Sequence, residues 1–273
     1  MIRTVLVTGT NSGVGKATAV HLARVGFRVV GTARSEEKLE LLEKAASDAG
    51  VEVEGAVLDV TDADGCAELV ARVEPWGLVN NAGYMNVGQV IDVPREDALR
   101  QLDALVVAPM HLAALAVPAM RRRGQGRIVN VSSVLSHATA AMTGWYQAAK
   151  HALSAVTDAL RREVAVDGID VVLIEPGGLQ TGIWPKAEDD LRRRQRHSAS
   201  PQAYDRALKV LHGTRGFMGE PEAAAKVIGD AMTAGRPRSN YRVGADAPVV
   251  ELVESILPGR VKDWLARTAM GTN

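Results

Sequence analysis

Two side chains that are able to exchange protons, Tyr146 and Lys150, lie four residues apart in a segment whose pattern is helical. Residues at this spacing share one face of a helix. A phenol has a reference pKa of about 10, and a cation about 4 Å away is worth roughly 4 kcal/mol at an effective dielectric of about 20. At about 1.36 kcal/mol per pH unit, Lys150 is expected to lower the pKa of Tyr146 by about 3. Such a phenol would trade protons near neutral pH, as the interconversion of alcohols and ketones requires; the alternative is an ordinary solvated helix pair.

A glycine-rich turn, residues 8–15 with the sequence Thr-Gly-Thr-Asn-Ser-Gly-Val-Gly, follows the first predicted strand and opens the first predicted helix. Glycines permit a sharp turn and let backbone N–H groups approach a pyrophosphate, while the helix N-terminus adds partial positive charge. A glycine-rich turn alone is weak evidence. Its place between a strand and a helix, however, is typical of a dinucleotide site.

The end of the second predicted strand indicates which dinucleotide binds. Sites for a bare ribose usually carry a carboxylate about 20 residues past the glycines. Here residues 32–35 read Thr-Ala-Arg-Ser, and Arg34 is able to form charge-assisted hydrogen bonds to a 2′-phosphate. Glu36 and Glu37 favour NAD, but both look committed to a helix start capped by the Ser35 hydroxyl. The sequence therefore predicts NADP rather than NAD.

The ends of the next two predicted strands carry further polar residues. Asp59, followed by Val60, is placed to accept a hydrogen bond from an adenine amino group; a cap for the helix beginning near Asp62 is an equal alternative. Residues 80–83, Asn-Asn-Ala-Gly, are small enough for their backbone to approach the adenine ribose, although in isolation they would read as a turn. The carboxyl ends of parallel strands are where open α/β sheets bind ligands.

Two more segments complete the expected site. Ser132 and Ser133 follow the fifth strand, where a hydroxyl is able to hydrogen-bond a substrate carbonyl while Tyr146 supplies the proton; a plain turn is the alternative. The sixth strand leads into residues 175–181, Glu-Pro-Gly-Gly-Leu-Gln-Thr, in which Pro and Gly set a turn and Thr181 is able to bond a carboxamide.

The elements that position these residues alternate between strand and helix, and they predict a Rossmann-type, doubly wound, mostly parallel sheet with helices on both faces. Several of the strands are nearly continuous in Val, Ile and Leu, as expected for strands covered on both faces. Strands are predicted at 4–7, 28–31, 53–58, 77–80, 127–131, 170–174 and 241–243, seven in all, and helices near 13–25, 36–49, 62–73, 94–122, 144–167 and 221–234.

The composition narrows the class of protein. The chain has 273 residues, which fits one large α/β domain over 1–273, and its net charge of zero gives no general attraction to nucleic acid or anionic membrane. The single cysteine, Cys66, fits a reducing compartment, so a cytoplasmic protein is expected. The apolar stretch 104–120 is short for a membrane span and is interpreted as a buried or subunit-facing helix.

Residues 181–219 interrupt the alternation, with a basic run at 192–196. Long connections in compact domains are usually lids or binding loops. This segment is predicted to be a mobile substrate lid, although its charges alone fit a solvated helix face.

The ordered motifs Thr-Gly-x-x-x-Gly-x-Gly, Asn-Asn-Ala-Gly, Ser, Tyr-x-x-x-Lys and Pro-Gly resemble those of the short-chain dehydrogenase/reductases over at least residues 2–181. The resemblance implies that Ser133 orients the carbonyl or alcohol, that Tyr146 is the general acid/base, and that Lys150 holds the nicotinamide ribose. It also implies an NADP site formed by Gly9, Asn11, Ser12, Gly13, Val14, Gly15, Arg34, Asp59, Val60, Asn81, Ala82, Gly83, Tyr146, Lys150, Pro176, Gly177 and Thr181.

One departure concerns the proton relay. The family commonly has an Asn thirteen residues before a proline matching Pro118, where it steadies a water; here that position is Leu105. Asp103 is no obvious substitute, since two residues turn about 200° around a helix. The relay then runs through another group or water, turnover is slower, or the local register is shifted.

Within the family, the chain most resembles the retinol and 17β-hydroxysteroid dehydrogenases, which implies a fairly large apolar ketone, aldehyde or alcohol and a homodimer or homotetramer. The candidate pocket residues, equally interpretable as ordinary packing, are His137, Met142, Trp145, Leu179 and Trp184. Two rival functions are an epimerase or dehydratase on the same scaffold and a catalytically weak NADP-binding regulator.

Overall fold

Seven parallel strands form one sheet in the computed structural model, which describes residues 2–214, 216, 218–244 and 258–270. In chain order they are Thr4–Val7 (β1), Arg28–Ala33 (β2), Glu54–Val57 (β3), Gly77–Asn80 (β4), Gly126–Val131 (β5), Ile169–Pro176 (β6) and Asn240–Val243 (β7). The spatial order is β3-β2-β1-β4-β5-β6-β7, so the order reverses at β1, which pairs with both β2 and β4. Open α/β sheets bind ligands at such a reversal, outside the carboxyl ends of the strands.

Helices cover both faces of the sheet. They are Gly13–Arg24 (α1), Glu36–Asp48 (α2), Ala63–Val73 (α3), Arg95–Leu102 (α4), Ala108–Arg123 (α5), Gly144–Val164 (α6), Ile183–Gln195 (α7), Pro201–Thr214 (α8) and Pro221–Thr233 (α9), followed by Gly259–Met270. Successive strand residues point to opposite faces. Val5 and Val7 accordingly pack with α1 and α9, and Leu6 packs with α3 and α5.

All the predicted strands exist, and this confirms the fold expected from the sequence. Their ends differ in ways that pairing explains. β6 continues to Pro176, beyond the predicted end, because Glu175 and Pro176 pair with Arg242 and Val243 of β7. β3 is shorter than predicted at both ends, and only residues 54–57 pair with β2.

The long helix predicted over 94–122 is interrupted. Residues Asp103–Val107 form a π-helical turn between α4 and α5, in which the N–H of Ala108 bonds to the carbonyl of Asp103. Pro109 has no N–H to offer the carbonyl of Leu105 four residues earlier. A local change of helical register is the usual response to such a missing donor.

The start of α2 also differs from prediction. Ser35 does stand at the N-cap, but its hydroxyl makes no capping hydrogen bond. The predicted cap by this side chain is therefore wrong. Glu36 and Glu37 do occupy the first turn, where their charges complement the helix dipole.

The predicted lid is two helices, α7 and α8, rather than an open loop; residues 215 and 217 of the lid lie outside the described residues. The basic run is only partly solvated. Arg192 and Arg193 form exposed ion pairs with Glu188 and Asp190, whereas Arg194 is buried.

One helical stretch in the described residues, Arg95–Arg123, is apolar and long enough to cross a membrane. Half of its most apolar window is buried inside the protein. Core helices of soluble proteins have the same length and hydropathy, and they are buried in the same way. The burial therefore fits the interpretation of a core or subunit-facing helix.

Candidate active site

The glycine turn at the end of β1 allows no larger side chains. A Cβ on Gly9, whose φ is 71°, would lie 2.7 Å from the Cα of Ala82, and one on Gly15 would lie 2.2 Å from the Gly9 carbonyl oxygen. The Thr8 hydroxyl accepts hydrogen bonds of 3.0 Å from the N–H groups of both Asn81 and Ala82. The turn is therefore held closely against the segment that follows β4, and only glycine fits at these two positions.

Asn81 has a bracing role that the sequence did not predict. Its side-chain amide donates hydrogen bonds to the carbonyls of Thr8 (2.9 Å) and Gly9 (3.2 Å). The side-chain nitrogen is thus committed to the glycine turn. Contact of residues 81–83 with an adenosine stays a prediction.

Arg34 and Asp59 lie together at the ends of neighbouring strands, because Ala33 of β2 pairs with Val57 of β3. Arg34 is exposed. Partial burial pushes the pKa of Asp59 upward, but hydrogen bonds from Thr61 and the charge of Arg34 outweigh it and hold the pKa below its usual value. The carboxylate is therefore ionised at neutral pH.

The alternative role of Asp59 as a helix cap is wrong. Asp62 caps α3 instead, its side chain accepting a 3.2 Å hydrogen bond from the N–H of Gly65. Asp59 braces its own turn through the N–H (3.0 Å) and hydroxyl (2.8 Å) of Thr61.

The loop after β6 lies beside the glycine turn, as predicted. The Thr181 methyl would be 3.0 Å from a Cβ on Gly13. Ser12 stands at the N-cap of α1 without a side-chain capping bond, and Gly13 opens that helix. The Gly177 N–H bonds to the Val243 carbonyl at 2.7 Å, which ties the Pro-Gly turn to β7.

Ser133, Tyr146 and Lys150 come together at the carboxyl edge of the sheet, and each side chain is buried. Ser133 lies just after β5, close enough to Tyr146 in the first turn of α6 to oppose the effect of burial on the pKa of that phenol. The Lys150 amine lies 5.7 Å from the centre of the Tyr146 ring. It donates a 2.7 Å hydrogen bond to the carbonyl of Val131. The predicted cluster is therefore present, with the amine near the ring but bonded to the backbone.

The expected direction of the Tyr146 pKa is wrong for the protein alone. Burial raises the pKa of Tyr146 to about 12, against which the hydrogen bond from Ser133 acts only partly. Burial also lowers the pKa of Lys150 to about 8. Desolvation disfavours the charged form of both groups, and here it outweighs the attraction that sequence spacing suggested.

Leu105 lies in the π turn and packs in the same buried cluster as Tyr146. A Cβ on Gly83 would lie 2.6 Å from its Cδ2 atom. An apolar side chain therefore packs in the cluster of Tyr146, and the π turn is a local change of helical register. That Leu105 occupies the relay position stays a prediction. Asp103 stands at the start of the same turn and is partly exposed.

The candidate pocket residues differ in their use. His137 is paired with the buried Glu175, and Trp145 donates its indole N–H to the Val90 carbonyl at 3.2 Å. Trp184 donates in the same way to the carbonyl of Leu179 at 2.6 Å. The ring nitrogens of His137, Trp145 and Trp184 are thus paired with other parts of the protein and stabilise the fold.

Met142 has a φ of 71°, a left-handed conformation that is uncommon outside glycine. The N–H of Gly88 bonds to its carbonyl at 2.7 Å. Its side chain is buried in the cluster that contains Tyr146, so a strained backbone position faces the catalytic side chains.

A buried polar network that the sequence did not reveal joins the lid to the body. Arg194 of α7 forms a 2.9 Å ion pair with Asp97 of α4, and its N–H also reaches the Asp92 carbonyl at 3.4 Å. The hydroxyl of Tyr204 in α8 donates to the Asp92 carboxylate at 2.7 Å. Only the tertiary structure separates Arg194 from its exposed neighbours in the basic run.

The model of the short chain dehydrogenase family matches residues 3–192. The chain belongs to this family. A relative in Ornithobacterium rhinotracheale named NADPH-dependent 3-dehydrocapnine reductase is 30% identical, with 96% of this chain and 95% of the relative covered. Human 17-beta-hydroxysteroid dehydrogenase type 6 is 29% identical, with 96% and 86% covered.

Solved structures of short-chain dehydrogenases have the same architecture. One from Streptomyces avermitilis superposes with a TM-score of 0.77 at 28% identity, covering 100% of this chain and 99% of that chain. The family assignment and the resemblance to the retinol and 17β-hydroxysteroid group are thereby confirmed.

Proposed function

We propose that this short-chain dehydrogenase is an NADP(H)-dependent oxidoreductase that interconverts a ketone or aldehyde and an alcohol, with a fairly large apolar substrate. The observation that carries the proposal is the buried group of Ser133, Tyr146 and Lys150, which lies at the same edge of the sheet as the glycine turn. A hydroxyl donor, a proton donor and an amine at one strand edge are the groups that carbonyl reduction needs.

The residues fit a dinucleotide, since Gly9 and Gly15 let the turn pack tightly on Ala82 and on its own backbone, and the turn leads directly into the N-terminus of α1 at Gly13. The N-terminus of a helix offers N–H groups and partial positive charge to a pyrophosphate. When bound, the cofactor supplies the hydride and accepts it in the reverse direction. Arg34, exposed at the end of β2, would pair with a 2′-phosphate, which favours NADP. The bacterial relative named as an NADPH-dependent reductase supports this choice.

In reduction, Tyr146 donates its hydroxyl proton to the carbonyl oxygen, and Ser133 holds that oxygen with a hydrogen bond. A pKa of about 12 means that Tyr146 carries its proton at neutral pH, as a proton donor must. A pKa of about 8 leaves Lys150 mostly charged at pH 7. Its charge would offset the tyrosinate that proton transfer creates.

The surroundings of Tyr146 are apolar. Tyr146 belongs to a buried apolar cluster to which the loop after β4, the segment before α6 and both lid helices contribute, with Met85, Val87, Met142, Leu191, Leu208 and Leu211 among its members. We infer from these surroundings a substrate that is apolar near its carbonyl. The name of the human steroid dehydrogenase relative points the same way.

The test follows the absorbance of reduced nicotinamide with a panel of ketones and aldehydes. We expect NADPH consumption, and we expect Tyr146→Phe to lower kcat by at least about a hundredfold while NADPH still binds. Turnover of a substrate without net NADPH consumption would favour an epimerase or dehydratase instead. Nucleotide binding with no turnover of any kind would favour a regulator, which Leu105 in place of the relay Asn makes a real alternative.

We further propose a single domain over residues 1–273, cytoplasmic, with a lid near 181–219. Leu99 and Val107 are exposed on the α4–α5 stretch, which favours a homodimer or homotetramer through these helices. Light scattering of the purified protein measures the oligomeric state.

A further inference from the structure

A fully buried carboxylate, Glu175, lies at the carboxyl end of β6, one residue before Pro176. Its Oε1 lies 3.2 Å from the Ser136 hydroxyl oxygen and contacts Nε2 of His137. Its Oε2 lies 3.4 Å from Nε of Arg242 on β7. A buried carboxylate is costly unless it is paired. This one joins β6, β7 and the segment after β5.

The segment after β5 is the one that carries Ser133. Residues Val134–Ser136 form a short 3₁₀ turn, in which the Ser136 hydroxyl donates to the Ser133 carbonyl at 2.7 Å. The Ser133 hydroxyl accepts from the N–H of Leu135 at 3.2 Å. Ser136 is therefore placed between the carboxylate of Glu175 and the backbone of Ser133.

The backbone of β6 contacts Ser133 from the other side. Pro176, the next residue in β6, presents its carbonyl 3.4 Å from the Ser133 hydroxyl. The same hydroxyl is close enough to Tyr146 to oppose the rise that burial causes in the pKa of that phenol. The Ser133 hydroxyl therefore has one partner on β6, the Pro176 carbonyl, and another in the 3₁₀ turn, the N–H of Leu135.

We propose that Glu175 is a positioning residue for the reaction: it holds the turn after β5 so that the Ser133 hydroxyl points at Tyr146 and the substrate oxygen. The inference rests on the proposed function of Ser133. Glu175 does not act on the substrate itself. A displacement of a reacting group by about 1 Å can cost about a hundredfold in rate, so loss of this brace affects kcat more than nucleotide binding.

The experiment compares three single variants, Glu175→Ala, Ser136→Ala and Ser133→Ala, with two double variants that combine Ser133→Ala with each of the other two changes. For each variant, kcat, KM for NADPH and Tm are measured. We expect Glu175→Ala to lower kcat about tenfold to a hundredfold with KM for NADPH changed less than about twofold, and Ser136→Ala to lower kcat several-fold. In the Ser133→Ala background, neither change lowers kcat further, because both act through Ser133.

A matched control lies at the other end of the same strand. Asp170 forms a 2.6 Å ion pair with the buried Arg127, far from the catalytic edge. Asp170→Ala is expected to lower Tm and leave kcat unchanged, which separates bracing of the site from general stability of β6.

The inference is overturned if Glu175→Ala folds with wild-type kcat, or if its effect multiplies with that of Ser133→Ala. Should Glu175→Ala fail to fold, Ser136→Ala decides in the same way, since it removes only a hydroxyl. A wild type that consumes no NADPH, or a Tyr146→Phe variant with full activity, instead overturns the proposed function and with it the role assigned here.

Discussion

The Lys150 amine lies 5.7 Å from the centre of the Tyr146 ring, and its 2.7 Å hydrogen bond goes to the Val131 carbonyl. Both side chains are buried, and burial moves their pKa values in opposite directions, to about 12 for the phenol and about 8 for the amine. Each group is therefore driven toward its neutral form. In the proposed reaction, the amine is already mostly charged at pH 7 and offsets the charge of the tyrosinate that proton transfer creates.

The lowered pKa of Lys150 predicts how stability depends on pH. Below about pH 8 the amine is charged in both the folded and the unfolded protein, and the cost of burying that charge is fully present. Between about pH 8 and 10.5, the ordinary pKa of a lysine, the unfolded chain binds more protons than the folded one, so the free energy of unfolding rises with pH. Above that range the cost is gone.

Lys150→Met removes this titration. We expect the unfolding free energy of the wild type, relative to Lys150→Met, to rise between about pH 8 and 10.5, as measured by urea denaturation. Taking the difference cancels other groups, such as Cys66, whose pKa burial raises to about 11. A difference that stays constant across this pH range would contradict the assignment.

Leu105→Asn tests the altered relay position. Leu105 is 2% exposed, so a polar amide there should cost roughly 2–4 kcal/mol of stability. Activity per folded molecule should stay intact or rise, since the amide is able to hold a water near Lys150. Leu105→Met, which conserves volume, serves as the control in the same kcat and denaturation assays. Collapse of kcat in the folded Asn variant would show that the apolar side chain itself is required.

Arg34→Ala tests cofactor choice. Hydrogen bonds to a charged group contribute about 1.5–3 kcal/mol, so KM for NADPH should rise about tenfold to a hundredfold, with KM for NADH little changed. Lys44→Ala, an exposed charge elsewhere on α2, should alter neither. A wild type that prefers NADH would refute the NADP assignment.

Arg194→Met tests the attachment of the lid. Removing Arg194 breaks its ion pair with Asp97. Asp97 still has an ion pair with Arg100, so its charge is not left unpaired. We expect α7 and α8 to loosen by roughly 2–4 kcal/mol, seen as faster hydrogen exchange of their amides, and KM for the ketone to rise more than kcat falls. Arg193→Met, which removes an exposed guanidinium from the partly buried Asp190, should change neither quantity. Equal rates of amide hydrogen exchange in the two variants would show that Arg194 does not attach the lid.

Much of the fold could be read from residue types and their order. Parallel strands covered on both faces are continuous in Val, Ile and Leu, and their carboxyl ends meet at one edge. The glycine turn and Ser133 each follow the carboxyl end of a strand, and Tyr146 faces that edge, so the strand order alone brings them together. Residues at a strand end can therefore be predicted from the sequence without information on contacts with distant segments.

The tertiary structure decided everything that depends on burial or on a distant partner. Spacing placed Lys150 on the face of Tyr146, but only the depth of both groups settled that desolvation outweighs their attraction. Arg194 differs from Arg193 only in the partner it meets across the chain, and Glu175 became visible only once β6 packed between β7 and the turn after β5. The sequence pattern specifies which face of a helix or strand a residue lies on. How far that residue is removed from water depends on the segments that pack against it, and only the tertiary structure shows those.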